Sequence, residues 1–211
     1  HTHGLFVACN LLAYVGGSMI FLPKFDSQQA LTWMKSANTM MGVPTFYTRL
    51  LKEDLFDKKL TEHMRLFISG SAPLLAETHI EFEKRTDKKI IERYGMTETN
   101  MNTSNPYDGP RIAGTVGLPL PGVELRIADN KGQEVDKGEI GIIELRGDNV
   151  FEGYWEMPEK TAESFREDGF FITGDMARID KNGYVVIVGR DKDLIITGGL
   201  NLANMKKIDQ D

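Results

Sequence analysis

In the first half of the chain, apolar residues alternate between short unbroken runs and runs with helical spacing. The unbroken runs predict buried strands over residues 18–22, 39–43, 66–69 and 89–93. The runs with helical spacing predict helices over residues 4–15, 26–37, 44–51 and 77–86. The first helix is apolar on all sides and is therefore expected to be buried. Strands that alternate with helices are typical of a parallel, doubly wound α/β sheet.

A different pattern begins after residue 99. Residues 100–122 are rich in Asn, Gly and Pro, and a segment this long without a clear period predicts a functional loop. From residue 123 onward, short apolar runs separated by turn residues predict a mostly β subdomain with one short helix over residues 158–165. We therefore expect an α/β subdomain over residues 1–122, a β-rich subdomain over 123–191, and a hinge with a truncated or altered tail over 192–211.

Composition narrows the class of protein. The chain has 211 residues, 41% of them hydrophobic, which is enough for one large or two small domains with an apolar core. A formal charge of −6 and the lack of a Lys/Arg-rich run argue against nucleic-acid binding. The single cysteine, Cys9, excludes an internal disulfide framework and indicates a reducing compartment, the cytoplasm or an organelle matrix. No apolar stretch reaches the roughly 18 residues of a membrane span.

The polar residues that follow the last strand of the α/β half form the first candidate site. Ligands usually bind at the carboxyl ends of such strands, where Tyr94 offers a flat face for a nucleotide base and Gly95 allows close backbone approach. Thr97 and Thr99 can donate hydrogen bonds to phosphate oxygens, and Glu98 is a hard oxygen ligand suited to Mg²⁺. The same residues are typical of a strand end that leads into a polar turn, so the residues alone leave both interpretations open.

Three further motifs lie between predicted elements. Residues 69–73 join a strand to a helix with small residues that expose backbone N–H groups, and residues 189–193 place charges between two apolar strands. Asp175 is expected at the end of an apolar strand, where a carboxylate can bind ribose hydroxyls. Each motif also has an ordinary explanation, as a close-packed turn, a solvated hairpin or a turn former. His1 and His3 are too close for a metal pair on a helix or strand, so no zinc site is expected.

Taken in order, these motifs resemble the adenylate-forming superfamily of acyl-CoA synthetases, peptide-synthetase adenylation domains and luciferases. The segments that carry the resemblance are residues 1–4, 69–73, 94–98, 114–122, 173–175 and 189–193. Residues 41–49 and 93–104 are most similar to malonyl-CoA synthetases. The resemblance implies the central part of the large domain of such an enzyme, with a doubly wound α/β subdomain followed by a mostly β subdomain.

The resemblance also implies a reaction and a nucleotide site. A malonyl-CoA synthetase activates malonate with ATP and Mg²⁺ to malonyl-AMP and then transfers the malonyl group to coenzyme A. Tyr94 would stack on the adenine, with Gly70 to Pro73 along the opposite wall. The implied ATP-binding residues are Gly70, Ser71, Ala72, Pro73, Glu92, Arg93, Tyr94, Gly95, Met96, Thr97, Asp175 and Arg190.

Four residues would have catalytic roles by this resemblance. Thr97 would contact phosphate, and Glu98 would hold Mg²⁺. His1 would form a gate beside the acyl site, and Lys192 would be the hinge about which a carboxyl-terminal lid swings between the two half-reactions. The expected upstream phosphate loop and the lid with its lysine are not found in the sequence, and residues 202–208 depart from the family pattern. A fragment of low intrinsic activity is therefore expected.

Malonate has a second carboxylate that must be held away from the reacting one. Burying that charge without a partner is unfavourable, so a cation is expected in the acyl pocket. Arg49 is the candidate, because arginine binds carboxylates through two parallel hydrogen bonds; the alternative is that it extends from its helix into solvent. The other implied substrate-binding residues are His3, Ser69, Ser71 and Met101.

Two other functions remain open from the sequence. The first is an acyl-CoA synthetase for another acid, such as methylmalonate or a fatty acid. The second is a noncatalytic nucleotide-binding module that uses Tyr94 and Asp175 without forming an adenylate. The expected partners in each case are small molecules, namely ATP with, for the enzymes, a carboxylic acid and coenzyme A.

Overall fold

The structure, a computed structural model, describes residues 2–191, 196–197 and 200–201. Contacts between residues divide the chain into two units, His1–Leu120 and Pro121–Asp211. The border lies close to residue 122, where the sequence predicts a change of subdomain. His1 and Lys192, the predicted gate and hinge residues, lie outside the described residues, as does most of the predicted tail.

The first unit is built on a five-stranded sheet whose strands are neighbours in chain order. The strands are β1 (Thr39–Gly42), β2 (Leu66–Ser69), β3 (Ile90–Met96), β4 (Asn100–Ser104) and β5 (Leu118–Pro119). The first three are parallel, while β4 is antiparallel to β3 and β5 is antiparallel to β4. The parallel strands with helices between them confirm the predicted α/β fold.

Two helices of this unit, α2 and α4, begin at aspartates that cap them, and α3 begins at a proline. They are a π-helical segment (Thr2–Asn10), α1 (Leu11–Tyr14), α2 (Ser27–Met34), α3 (Pro44–Leu50), α4 (Lys58–Thr61) and α5 (Ala76–Thr86). The Asp26 carboxylate accepts the Gln29 N–H at 2.9 Å and caps α2. Pro44 opens α3, where its missing N–H has no intrahelical partner to lose.

An apolar core fixes α3 and α5 against the parallel strands. Tyr47 of α3 and Phe82 of α5 are fully buried and meet edge to face, with ring centroids 5.6 Å apart. Phe82 also packs on Phe67 of β2, with ring centroids 4.9 Å apart. These contacts hold the two helices on the same face of the sheet, so a residue of β3 that faces α5 lies on the core side.

Three predictions for the first unit are wrong. Residues 18–22 form no strand, and β1 pairs with β2 alone among the described strands. Residues 4–15 are helical but not buried, and Leu5 and Phe6 are each about half exposed, because the described residues do not cover them. The predicted loop after residue 99 contains β4, which forms a hairpin with β3, and β5, which pairs with β4.

The second unit confirms the predicted β-rich half. Its sheet is antiparallel in the order β6 (Glu124–Ala128), β7 (Gly141–Arg146), β8 (Phe171–Ile179) and β9 (Val185–Arg190). The short helix α6 (Pro158–Glu163) lies between β7 and β8 in the chain, and β10 (Ile196–Thr197) pairs with β11 (Leu200–Asn201). The runs over residues 170–172 and 177–179 predict two separate strands. They form the single strand β8, which is continuous because it pairs with β7 on one side and β9 on the other.

A buried carboxylate joins two strands of the second unit to the segment between α6 and β8. Glu144 of β7 is fully buried and binds Arg126 of β6 at 2.7 Å and Arg166 at 2.8 Å. Arg126 continues the network to Asp168 at 2.7 Å, and its guanidinium lies 3.9 Å from the ring centroid of Phe170. Each charge at the centre of this network therefore has an opposite charge within hydrogen-bonding distance.

Candidate nucleotide and acyl site

The carboxyl end of β3 forms a tight hairpin with β4. The strand continues through Gly95 to Met96 instead of ending at the glycine, and its register shifts between Tyr94 and Gly95. A side chain at Gly95 would place its Cβ atom 2.0 Å from the Asn100 carbonyl oxygen and 2.4 Å from Met101 Cε. Gly95 is therefore required for the close approach of two strands, a role different from the predicted approach to a ligand.

The hairpin turn presents the predicted phosphate and metal residues. Residues 97–99 form the turn, which the Thr99 N–H closes on the Met96 carbonyl at 3.2 Å. Thr97 is exposed and Glu98 is half-buried, so both can reach a ligand, while Thr99 is fully buried. Glu98 provides one carboxylate, which fits Mg²⁺ because this ion usually takes one or two carboxylates together with substrate phosphates. Among the described residues, no group of three or more acidic, histidine or cysteine side chains could hold a metal alone.

The predicted adenine wall follows β2. Residues 71–75 lead from β2 and Gly70 to α5, and Ser71 has a φ of +69°, a left-handed conformation uncommon for serine. Ser71, Ala72 and Pro73 are exposed, so their backbone is accessible. Tyr94 of the neighbouring strand is 8% exposed. The structure thus places the two predicted adenine elements on adjacent strands, which pair from Phe67 and Ile90 onward.

The two faces of β3 carry different chemistry. Because side chains alternate along a strand, Glu92 and Tyr94 lie on one face and Arg93 lies on the other. Glu92 faces α5, where its Oε1 forms a hydrogen bond of 2.7 Å with His79 Nδ1. Arg93 faces the π-helical segment, where its positive charge acts on His3.

Two buried polar groups without partners lie at or beside the carboxyl end of β2, and one of them, His3, is next to Arg93. His3 is 6% exposed and its ring packs on Gly70, where an added Cβ would lie 3.0 Å from His3 Cε1. Within the described part of the chain, His3 Nε2 and the buried Ser69 Oγ have no hydrogen-bond partner. Burial and the nearby guanidinium of Arg93 lower the pKa of His3, which favours its neutral form. This arrangement can accept polar atoms of a ligand.

Arg93 itself is a cation without a described counter-charge. Its Nε donates to Ser104 Oγ at 3.2 Å, and it forms no ion pair with any carboxylate of residues 2–191. Burial lowers the pKa of the Arg93 guanidinium, which remains charged because arginine titrates far above neutral pH. A partly buried guanidinium with no described counter-charge favours an anionic ligand.

Arg49 lies in a different environment. Tyr47 and Leu50 turn the buried face of α3 to the core, and Arg49 lies on the exposed face. Its Nη1 donates to the Phe25 carbonyl oxygen at 3.4 Å, and its guanidinium lies 5.0 Å from the Phe25 ring centroid. The structure brings His3, Gly70 and Arg93 together but leaves Arg49 in the surface position that the sequence allowed as its alternative. Its carboxylate role stays a prediction.

The predicted ribose site belongs to the second unit. Asp175 lies inside β8 and not at a strand end, which corrects the prediction; Gly174, with a φ of +73°, and the register shift after Met176 bend the strand there. The Asp175 carboxylate is nearly buried and pairs with Arg190 Nε at 3.0 Å. Asp175 and Arg190 are thus brought together as the resemblance implied.

His79 is the buried residue that the sequence interpretation missed. It lies on α5 beside Glu92, three positions before Phe82 of the core. That spacing places His79 on the apolar face of the predicted helix, and a polar residue on such a face signals a buried partner.

Comparisons with known proteins identify the relatives of this chain. Residues 1–155 match the family model described as AMP-binding enzyme. The chain is 40% identical over 227 residues to the malonate–CoA ligase of Arabidopsis thaliana, which covers 98% of this chain and 37% of that protein. The crystal structure of ATP-bound MatB from Rhodopseudomonas palustris matches with a TM-score of 0.92 and 62% identity, over 95% of this chain and 40% of that one.

A third relative carries products in its site. A malonyl-CoA ligase in a ternary product complex with methylmalonyl-CoA and AMP matches with a TM-score of 0.83 and 43% identity, over 95% of this chain and 44% of that one. The chain therefore spans about two fifths of the length of these relatives. No helix among the described residues is long and apolar enough to cross a membrane.

Proposed function

The chain belongs to the family of AMP-binding enzymes, and we propose that the protein that carries it activates malonate with ATP and transfers the malonyl group to coenzyme A. The observation that carries the choice of malonate is the partly buried Arg93, which has no described acid partner and lies beside His3, whose ring packs on Gly70. Identity of 40% to a malonate–CoA ligase and of 43% to a malonyl-CoA ligase supports the same substrate.

The proposed reaction has two steps. A carboxylate oxygen of malonate attacks the α-phosphorus of ATP, the bond to the leaving oxygen breaks, and pyrophosphate departs with the electron pair. The sulfur of coenzyme A then attacks the acyl carbon, loses its proton, and displaces AMP as the acyl carbon–oxygen bond breaks. Both steps develop negative charge on phosphate oxygens, which positioned donors and cations stabilise.

The chain's own residues would hold ATP from its base to its phosphates. Tyr94 stacks on the adenine, with Gly70 to Pro73 on the other side, and the backbone around Glu92 to Met96 borders the base. In the second unit, Asp175 is proposed to accept hydrogen bonds from the ribose hydroxyls, and Arg190 Nε pairs with its carboxylate at 3.0 Å. Thr97 donates to phosphate oxygen. Glu98 would hold Mg²⁺, which when bound neutralises phosphate charge.

Arg93 is proposed to bind the second carboxylate of malonate. The second carboxylate of malonate binds beside this partly buried cation, so ion and counter-ion neutralise each other. His3 Nε2, which lacks a hydrogen-bond partner in the described chain, supplies a further polar contact, and Ser69, Ser71 and Met101 are the other residues proposed to border malonate. A fatty acid is disfavoured as substrate because its apolar tail would leave Arg93 without a counter-charge.

Pyrophosphate exchange into ATP tests the proposal. We expect malonate-dependent exchange in a protein that carries this chain and is extended at both ends to the length of its relatives. Acetate and octanoate are the controls, because acetate lacks the second carboxylate and octanoate replaces it with an apolar tail. Equal exchange with all three acids would contradict the malonate assignment, and ATP binding without exchange for any acid would favour a noncatalytic nucleotide-binding module.

The proposed role of Arg49 gives a separate prediction. If Arg49 contacts malonate, Arg49→Ala should raise the KM for malonate by about tenfold or more while the Kd for ATP is unchanged, because one charge-assisted contact is lost. Steady-state kinetics and calorimetry measure the two constants. Unchanged kinetics would assign Arg49 to its surface contact with Phe25, and equal losses of malonate and ATP affinity would also contradict the role.

A further inference from the structure

A buried polar pair joins α5 to β3 beneath the proposed adenine site. His79 is 1% exposed and Glu92 is 4% exposed, and His79 Nδ1 lies 2.7 Å from Glu92 Oε1. The Glu92 carboxylate also accepts the backbone N–H of Gly114. Gly114 in turn approaches the start of α5, where its Cβ, if present, would lie 3.4 Å from the Cβ of Ala76. One carboxylate thus connects a helix, a strand and the loop that follows β4.

These three elements carry or border the proposed adenine slot, defined as the space between Tyr94 and residues 70–73. Tyr94 lies two positions after Glu92 on the same face of β3. The helix that carries His79 begins directly after residues 70–75. A shift of α5 relative to β3 would therefore change the width of the slot.

A second set of hydrogen bonds fixes the loop around Gly114. Asn105 donates through Nδ2 to the Thr115 carbonyl at 2.8 Å and accepts the Ile112 N–H at 3.0 Å. Its backbone N–H donates to the Glu92 carbonyl at 2.9 Å. Thr103 Oγ1 donates to the Val116 carbonyl at 2.7 Å. The loop is held independently of the pair, so it provides a fixed point from which the Gly114 N–H orients the Glu92 carboxylate.

Stability alone does not explain a buried histidine and glutamate at this position. Burial raises the pKa of Glu92, against the effects of His79 and the Gly114 N–H, which shows that desolvation is the largest influence on this carboxyl. His79 Nε2 is buried without a partner among the described residues. Apolar side chains of similar volume often give equal or greater stability than such a pair, whereas a short hydrogen bond fixes a distance and a direction.

We propose that His79 and Glu92 are positioning residues that set the width of the adenine slot by tying α5 to β3. This inference rests on the proposed nucleotide-binding function. His79 and Glu92 act through Tyr94 and residues 70–73, and they contact no reacting atom. Loss of the pair should therefore weaken the binding of ATP more than the binding of malonate, whose proposed contacts lie around Arg93 on the opposite face of β3.

The test compares four variants of the extended protein with the wild type. Glu92→Leu and His79→Leu each remove one partner of the pair. The double replacement removes both polar groups and keeps an apolar contact between α5 and β3. Glu92→Gln keeps the size of the side chain and an acceptor for His79. We expect each leucine variant to raise the Kd and KM for ATP by about tenfold, with the KM for malonate within about twofold of wild type. Glu92→Gln should stay within about threefold for ATP.

Tyr47→Phe is the matched control for stability. It removes a buried hydrogen bond to the Ile68 carbonyl in the same unit, between α3 and β2, and leaves α5 and β3 tied. We expect it to lower the melting temperature without changing the Kd for ATP. We expect the double leucine variant to remain folded, because neither partner is left buried without the other. If a single variant does not fold, the ATP affinity of the double variant decides whether the pair positions the adenine slot.

Two results would overturn the inference. In one, the folded leucine variants bind ATP with wild-type affinity; in the other, the Kd for ATP and the KM for malonate rise by equal factors. Calorimetry with ATP in the absence of malonate measures the Kd for ATP in each variant without turnover. A wild-type protein that binds ATP but shows no exchange with malonate would contradict the proposed function, while the ATP affinities of the variants still decide the role of the pair.

Discussion

Replacement of Arg93 by methionine should lower malonate-dependent pyrophosphate exchange by about a hundredfold to a thousandfold, since removing one partner of a buried ion pair costs about 3–5 kcal/mol. Methionine retains the apolar length of the side chain and removes the cation that the structure leaves without a described carboxylate partner. The second carboxylate of bound malonate would then lack its proposed counter-charge. The Kd for ATP, measured by calorimetry, should change little.

Arg65→Met is the control for this experiment. Arg65 is an exposed arginine of the same unit that donates to the Tyr107 hydroxyl at 3.2 Å, so its loss changes net charge equally but leaves the pocket intact. Arg93→Lys should recover part of the exchange, because lysine keeps the charge but not the two parallel hydrogen bonds. Equal loss of ATP and malonate binding in Arg93→Met would instead assign Arg93 to the nucleotide site, as the sequence resemblance implied.

Replacement of Glu144 by leucine should lower the free energy of unfolding of the second unit by about 3–5 kcal/mol. The change leaves Arg126 and Arg166 in contact with an apolar side chain in place of the carboxylate that binds both. Amide hydrogen exchange of β7 and β8, followed in the whole chain, reports the stability of this unit separately from the first.

Glu124→Gln provides the comparison for Glu144. Glu124 pairs with Arg146 at 2.6 Å, but both side chains are largely exposed, so solvent screens their interaction. Its loss should leave the exchange rates of β7 and β8 nearly unchanged. Equal protection of the β7 and β8 amides in Glu144→Leu and Glu124→Gln would contradict this prediction. It would show that Arg126 and Arg166 pair with other groups and that the Glu144 network does not stabilise the unit.

Elements that depend on neighbouring residues could be predicted from the sequence. The strands over residues 39–42 and 66–69 are apolar runs between turn residues, and the cap at Asp26 is set by a carboxylate three positions before the N–H that it accepts. The motif at residues 94–98 was correctly placed at the end of β3 for the same reason. Family membership also followed, because each motif is short and contiguous.

Features that depend on distant residues were missed or misplaced. Residues 100–104 read as a loop because Asn and Ser are poor strand formers, yet β3 and β5 supply partners on both sides. The sequence resemblance assigned Arg93 to the nucleotide site and gave no sign of its place beside His3. The burial of Arg93 depends on the π-helical segment that packs on it from the start of the chain, and no local pattern reveals that contact.

The hairpin of β3 and β4 has a thermodynamic consequence for nucleotide binding. Ordering one backbone residue costs about 1–2 kcal/mol at room temperature, so a mobile phosphate-binding loop must be ordered by its ligand. Here the ladder between the strands, the closely packed Gly95 and the closed turn at residues 97–99 fix Thr97 and Glu98 when the protein folds. ATP would therefore meet a preorganised turn, and its binding should show only a small entropic penalty from ordering of the backbone at this end of the site.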